Sequence, residues 1–388
     1  MKTDLTLEQL AEQVAEDAAN KKDLLTRTDN INVFQDPYST TPKLVAEIKG
    51  QPDAFAINDY THGQICEAIE KLPRPYYNHV LNDDPELLAR IVNRTFTRKP
   101  KRRMIRTMKS SSDEFIIRAF LSDKYRRIDN DDVTPVIFNV FGECDGLIVK
   151  SASITETKLY LKVTYPKFSF ETRKGDIVQS GLMITNSEVG CGRYSTAPWF
   201  LRKTCDNGQC IEEYGVNKNH IGKRIEGDDA SVYELFRKET LEADDKAFLL
   251  MVEDVTRAAL HDAEKFQLIA NKMREQTEQE IVGDIPGAVE VLAERNSIGQ
   301  EAKASILNFL LKSKDHTRYG LTQAVTATAR DDGNTMSYDA ATDLERLGGR
   351  VFSMPDAEWA AIANAKPIEA KVMNRKRNNN GTTLKKAA

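Results

Sequence analysis

Residues 158–187 read KLYLKVTYPKFSFETRKGDIVQSGLMITNS, and apolar and polar side chains alternate along much of this stretch. Alternation with a period of two is typical of β-strands, because successive side chains of a strand point to opposite faces of the sheet. The same pattern occurs in LIVKSASI at 147–154 and in WFLRKTC at 199–205. The sequence therefore predicts a strand-rich region between residues 147 and 214.

Helical periodicity replaces this alternation from Ser231 onward. Small and apolar residues step by threes and fours from Leu249 to Ala270, which is typical either of a helix packed on its own domain or of an oligomer seam. We favour the first interpretation and keep a homo-oligomer as the alternative. Near the other end of the chain, Thr6 and Gln9 form a capping-box pattern that predicts a short N-terminal helix.

Together these patterns predict an α+β protein with a strand-rich antiparallel central domain, a mixed N-terminal region and a helical C-terminal region. The predicted divisions are an N-terminal helix and arm (1–35), a mixed region ending in a basic segment (36–110), a strand-rich core domain (111–227), long helices (228–282), a C-terminal helical region (283–365) and a disordered basic tail (366–388).

Composition limits the classes of function. The chain has 388 residues and a formal net charge of −4, so any attraction to nucleic acid must come from local patches. Five cysteines are few for this length, which favours reduced thiols over a disulfide framework. No apolar run is long enough to cross a membrane. We expect a cytoplasmic protein, without a membrane partner or a cofactor.

The basic segment RKPKRRMIRTMK, residues 98–109, is the first candidate site, because it contains seven basic side chains and no acid. Clustered arginines bind phosphates, and aromatic side chains among them suit the exposed bases of single strands. The alternative is a solvated loop whose charges pair with nearby acids. The candidate phosphate contacts are Arg102, Arg103, Arg106, Arg118, Arg126 and Arg127, with Tyr125 stacking on bases.

Two acidic patterns have a structural and a catalytic interpretation. In IDNDD, residues 128–132, we favour the start of a helix over a cation site, because the calcium-loop pattern is incomplete. Asp145, Glu156 and Lys158 have the outline of a metal-dependent nuclease site, with two acids for the metal and a lysine to polarise the attacking water. A Glu-x-Lys pattern also arises by chance in a chain this rich in charge.

The segment 191–220 contains the thiols. Asn207-Gly208 predicts a tight hairpin turn in which Cys205 faces Cys210 across the two strands. Zinc bound by Cys191, Cys205, Cys210 and His220 is an alternative to a redox pair or to plain sheet thiols. Only the interval between Cys205 and Cys210 fits the usual zinc knuckle, so we predict no metal here.

Several segments carry a resemblance that covers most of the chain. They are INDYTHGQICEAI…PELLARIVNRTF (57–96), IRAFLSDKYRRIDNDDV (117–133), GDIVQSGLMITNSEVGCG (175–192), FLRKTCDNGQ (200–209), the His-x-Gly at 220–222, and DHTRYGLTQAVTATA (315–329) leading to YDAATDLERLGG (338–349). On these segments the chain resembles a family of phage- and plasmid-encoded proteins with a domain of unknown function.

The resemblance implies a protein of mobile genetic elements and marks three turns and a histidine. The matching positions are Ser122, Asp123, Tyr125 and Arg126; Asn186, Ser187, Glu188 and Gly190; Cys205, Asn207 and Gly208; and His220. Cys191 and Cys210 are not among the family's fixed elements, which counts against a four-ligand zinc site.

The function predicted from all of this is binding of nucleic acid, with single-stranded DNA favoured, in replication or recombination of a mobile element. A metal-dependent nuclease using Asp145, Glu156 and Lys158 is one alternative. A non-catalytic interaction protein that acts on host defence is another.

Overall fold

The computed structural model describes residues 5–69, 72–110, 113–125, 127–218, 237–330 and 336–367. Within these ranges the α+β prediction is confirmed, since two sheets rich in antiparallel pairs are followed by a helical C-terminal region. His220, Arg126 and the basic tail beyond residue 367 lie outside the described residues.

The first sheet is formed by the N-terminal third of the chain. Its strands are β1 (Lys21–Arg27), β2 (Ile31–Gln35), β3 (Leu44–Ile48), β4 (Ala54–Ile57), β5 (Arg102–Lys109) and β6 (Phe115–Ser122), in the spatial order β1-β5-β6-β4-β3-β2. Strands β5 and β6 pair antiparallel, whereas β4 and β6 pair parallel. The predicted division at residue 110 therefore falls between two paired strands of one sheet.

Three helices accompany this sheet: α2 (Asp59–Ala68), α3 (Arg74–Asp83) and α4 (Pro85–Arg98). Leu88, Val92 and Phe96 recur along α4 at helical spacing and share one buried core with Ile105 of β5 and Ile117 of β6. The helix begins at Pro85, which needs no hydrogen-bond partner for its nitrogen at this position, and the Asp84 side chain caps it. One face of the first sheet is thus covered by α4.

The second sheet contains the predicted strands. It consists of β7 (Ile148–Ile154), β8 (Leu159–Glu171), β9 (Ile177–Asn186), β10 (Tyr194–Arg202), β11 (Asn207–Cys210) and β12 (Val216–Lys218). One face packs against α5 (Asn130–Gly142) and α6 (Lys238–His261), where Val163 and Leu182 meet Ile137 and Val252. Val252 belongs to the stripe predicted from the sequence, so the described part of this helix packs on its own chain.

The remaining helices are α1 (Leu7–Asn20), α7 (Ala263–Gln276), α8 (Ile285–Asn296), α9 (Gln300–Ser313), α10 (Arg318–Thr328), α11 (Tyr338–Ser353) and α12 (Asp356–Ala363). The capping box predicted at Thr6 and Gln9 is present at the start of α1. Helix α11 lies on the other face of the second sheet, where Glu345 accepts a hydrogen bond from Trp199 Nε1 at 3.2 Å.

The predicted hairpin turn is wrong by several residues. Arg202 pairs with Asn207 and Trp199 pairs with Cys210, so the connection is Lys203–Asp206 and Asp206 adopts the left-handed conformation with φ +55°. Gly208 is required for a different reason. A Cβ atom there would lie 2.4 Å from Cζ2 of Trp199, so the glycine admits the indole ring.

Candidate functional site

A network of charged side chains joins the two sheets. Arg106 of β5 is 0 % exposed, and its guanidinium bonds to Asp23 of β1 at 2.9 Å and to Asp129 at 2.7 Å. It also donates to the backbone carbonyl of Glu188, which follows β9 of the second sheet, at 2.9 Å. Arg106 therefore connects three chain segments that are far apart in sequence.

Glu188 is the second centre of this network. Its carboxylate accepts from Arg118 of β6 at 2.5 Å, from Lys21 at 3.2 Å and from the backbone nitrogen of Asn130 at 2.7 Å. Burial alone would raise its pKa, but the positive charges of Arg118 and Lys21 outweigh this effect and lower it. Glu188 is therefore held as a carboxylate inside the junction.

The IDNDD segment contributes Asp129 to this charged network. Asp129 is the N-cap residue of α5, as predicted, but its side chain makes no capping hydrogen bond and pairs instead with Arg106 and Lys21. Burial would raise the pKa of Asp129, whereas these two cations lower it far below its usual range.

The carboxylates of Asp129, Asp131 and Glu188 lie within 4.8 Å of one another, which is the spacing of cation ligands. The Lys21 ammonium is in ion-pair contact with all three. A protein cation therefore already balances this cluster, and we derive no metal site from it.

The turn residues marked by the family resemblance hold this junction together. Asn186 donates to the carbonyl of Ile128 and to Oδ1 of Asn130, each at 2.9 Å, and Ser187 donates to the carbonyl of Thr157 at 2.8 Å. Gly190 has φ +81°, and a Cβ atom there would lie 2.6 Å from Leu121 of the first sheet. In the turn that follows β6, Ser122 Oγ accepts from the backbone nitrogen of Lys124 and donates to Asp123.

The structure corrects part of the predicted phosphate-binding set. Arg106 is buried, and Arg118 is 11 % exposed and paired with Glu188, so neither lies on an exposed basic surface. Arg103 lies over the Phe120 ring at 5.3 Å, and burial lowers its pKa. The Tyr125 hydroxyl donates to the carbonyl of Ser187, and its ring packs in a small apolar cluster. That ring is not free to stack on bases.

Two of the predicted residues are less buried. The Arg127 side chain is 49 % exposed and lies 3.3 Å from Asp23. Arg102 is half-buried at the start of β5. Neither lies in the buried centre of the junction.

The predicted nuclease triad is not brought together. Asp145 precedes β7 and Glu156 follows it, and the seven residues of that strand separate them by roughly 20 Å. Glu156 and Lys158 do share one site, because both line a cleft at the end of the β7–β8 hairpin.

The described cysteines do not converge either. Cys191 precedes β10 and Cys205 follows it, so the nine residues of the strand place them roughly 30 Å apart. Cys205 is exposed in the turn, whereas Cys210 is buried opposite Trp199, and burial raises its pKa. The prediction that the thiols of Cys205 and Cys210 face each other across the hairpin is therefore wrong.

The cleft that contains Glu156 and Lys158 has a volume of about 310 Å³ and lies where the two sheets meet. We call it the junction cleft. Its polar lining includes Asp17 of α1, Arg118 of β6 and Glu188, and its apolar lining includes Met108 and Ile116. Burial raises the pKa of both Asp17 and Glu156, and the neighbouring carboxylates Glu188 and Asp59 add to the effect.

A second feature lies on the outer side of α4. Arg90, Arg94 and Arg98 are exposed at intervals of four residues, so they form one row along the helix about 12 Å long. Exposed Lys99 and Lys101 and half-buried Arg102 continue the row toward β5. We call this set of six residues the α4 ridge.

The sequence contained the signal for the ridge, since PELLARIVNRTF is predicted to be helical and the arginines recur every fourth residue. The prediction instead placed the basic site in the run that begins with RKPKRR, at the end of the helix and directly after it. No family model, no curated protein and no solved structure matches this chain. In the described part of the chain, no helix combines the length and the apolar character needed to cross a membrane.

Proposed function

We propose that this protein binds single-stranded nucleic acid through the α4 ridge. The observation that carries the proposal is the row of Arg90, Arg94 and Arg98, which make no ion pair with any acid in the described ranges. Like charges at i and i+4 destabilise a helix by about 0.2–0.5 kcal/mol per pair. An anionic partner that spans the row would remove this repulsion.

The ridge explains how an acidic chain would attract a polyanion. The net charge of −4 opposes binding in general, but from Leu87 to Ser110 there is no acidic residue. Attraction to phosphates depends on local cations that displace counterions. Of the predicted contacts, Arg102 belongs to the ridge, while Arg106 and Arg118 serve the junction. A role in replication or recombination of a mobile element rests on the family resemblance alone.

The experiment measures affinity for a fluorescein-labelled oligothymidylate as a function of salt concentration. Single-strand binding weakens with a slope of about −0.7 per phosphate contact on logarithmic axes. The triple variant Arg90→Gln, Arg94→Gln, Arg98→Gln is therefore expected to bind more weakly, with a slope that is smaller by about 2.

The matched control removes the same charge from three exposed helix ends elsewhere, with Arg295→Gln, Lys312→Gln and Arg350→Gln. This control should keep the slope of the unmodified protein. Equal slopes in the two triple variants would contradict the proposal. So would absence of binding at low salt, which would make a host-defence protein the next partner to test.

A further inference from the structure

We propose that the junction cleft is a nucleotide site, which takes a phosphate and a planar ring that carries an amino group. This site is independent of the α4 ridge, because the first sheet lies between them. Ile117 packs against α4, whereas its neighbour Ile116 lines the cleft, and adjacent residues of a strand point to opposite faces.

The two cations that line the cleft are Arg118 and Lys158. Arg118 has five N–H groups, one of its nitrogens donates to Glu188, and its Nε is buried with no hydrogen-bond partner in the described chain. Lys158 lines the same cleft, and its ammonium makes no ion pair with a described residue. Arginine and lysine together are typical donors for phosphate.

Arg118 lies at an irregularity in the pairing of β5 and β6. Arg106 pairs with Ala119 and Thr107 pairs with Ile117, so Arg118 is the extra residue of a β-bulge. Bulges are frequent beside functional sites. Arg118 keeps the face of Ile116, two residues before it, and reaches both the cleft and Glu188.

Carboxylates also line the cleft. Asp17 and Glu156 line it, and neither makes an ion pair with a described residue. Asn58, the N-cap residue of α2, lines the cleft beside them. A bare phosphate would be repelled by these carboxylates, whereas a ring amino group would donate to them.

The apolar lining suits the ring itself. Met108, Ile116, Ile154 and Val189 are the apolar residues that line the cleft beside these polar groups. Small-ligand pockets typically have volumes from about 300 Å³ upward and combine apolar walls with a few placed polar groups. The volume of about 310 Å³ and this lining match a nucleoside monophosphate.

The test uses calorimetric titration of the full chain with AMP, adenosine and IMP. AMP is expected to bind roughly tenfold or more tightly than adenosine, because charge-assisted hydrogen bonds to the phosphate are lost in adenosine. IMP, which has a carbonyl in place of the amino group, should also bind more weakly than AMP.

Lys158→Gln is the decisive variant, because Lys158 has no described ion pair whose loss would unfold the protein. It should weaken AMP binding by roughly tenfold and leave adenosine binding unchanged. Lys203→Gln, an exposed lysine at the far end of β10, is the control and should change neither. The proposal is overturned if AMP and adenosine bind equally, if neither binds at millimolar concentration, or if the two variants behave alike.

The phosphate belongs either to a free nucleotide or to a strand end, and one competition experiment separates these sources. Displacement of AMP by a 5′-phosphorylated oligodeoxyadenylate, but not by the same strand without its phosphate, assigns the cleft to a strand end. AMP binding that neither strand displaces assigns it to a free nucleotide. The triple variant of the α4 ridge should bind AMP normally, so failure of one site is distinguishable from failure of the other.

Discussion

Replacement of Arg106 by methionine is expected to lower the free energy of unfolding by about 3 kcal/mol. The change leaves Asp23 and Asp129 in the junction without their shared guanidinium, and their side chains are only 16 % and 13 % exposed. Removing one partner of a buried ion pair costs about 3–5 kcal/mol, and Lys21 still compensates Asp129, which places the expected cost at the lower end. Urea unfolding measures this difference.

Arg127→Met is the matched control, because Arg127 pairs with Asp23 from an exposed position. Surface ion pairs contribute about 0–1 kcal/mol, so this variant should unfold close to the unmodified protein. Equal losses in both variants would contradict the structural role of Arg106.

Acid should reduce the difference in free energy of unfolding between the Arg106→Met variant and the unmodified protein. In the unfolded chain the pKa values of aspartate and glutamate are about 3.9 and 4.3, and the folded pKa values of Asp129 and Glu188 lie lower. Their contribution to the free energy of unfolding is therefore fully present above about pH 5. It is lost as the pH falls through the folded values. Asp17 and Glu156 have raised pKa values and act in the opposite direction, since the folded state binds their protons more tightly.

Glu345→Leu is expected to cost about 3–5 kcal/mol in free energy of unfolding, because it leaves a charged lysine buried. Lys162 of β8 lies 2.8 Å from Glu345 of α11, and the two side chains are 5 % and 4 % exposed. Burial would lower the pKa of Lys162, but the Glu345 carboxylate outweighs it and raises that pKa. The same urea unfolding measurement applies.

The double variant Lys162→Met, Glu345→Leu separates the buried charge from simple loss of contacts. It should be more stable than Glu345→Leu alone, because replacing both partners of a buried pair with apolar groups is often near neutral. Trp199 Nε1 and the Thr342 hydroxyl would still lose a partner, so some cost remains. A double variant as unstable as the single one would contradict this account.

The sequence predicted local structure well because local structure has local causes. The alternation in LYLKVTY, the capping box at Thr6 and Gln9 and the proline at 85 each act within a few residues. The predicted position of the hairpin turn is wrong because a glycine after an asparagine can be required either by a turn or by close packing. Gly208 is a glycine because of Trp199, which belongs to the neighbouring strand.

The candidate site was harder to predict because its partners are distant in sequence. Arg106 looks like one cation of a surface run, but its acidic partners are 83 residues before it and 23 residues after it. Glu188 comes from a different sheet. A basic run read alone cannot distinguish a buried guanidinium from an exposed one, whereas the spacing of Arg90, Arg94 and Arg98 on a predicted helix can identify an exposed row.

The most direct test of the proposed nucleic-acid interface is photo-crosslinking to an oligothymidylate from single positions. A photoreactive residue replaces Thr97, which is exposed on α4 beside the ridge, or Leu311, which is exposed on α9 of the C-terminal region. We predict crosslinks from position 97 that disappear at high salt, and none from position 311. Equal crosslinking from both positions, or crosslinking from position 311 alone, would contradict binding through the α4 ridge.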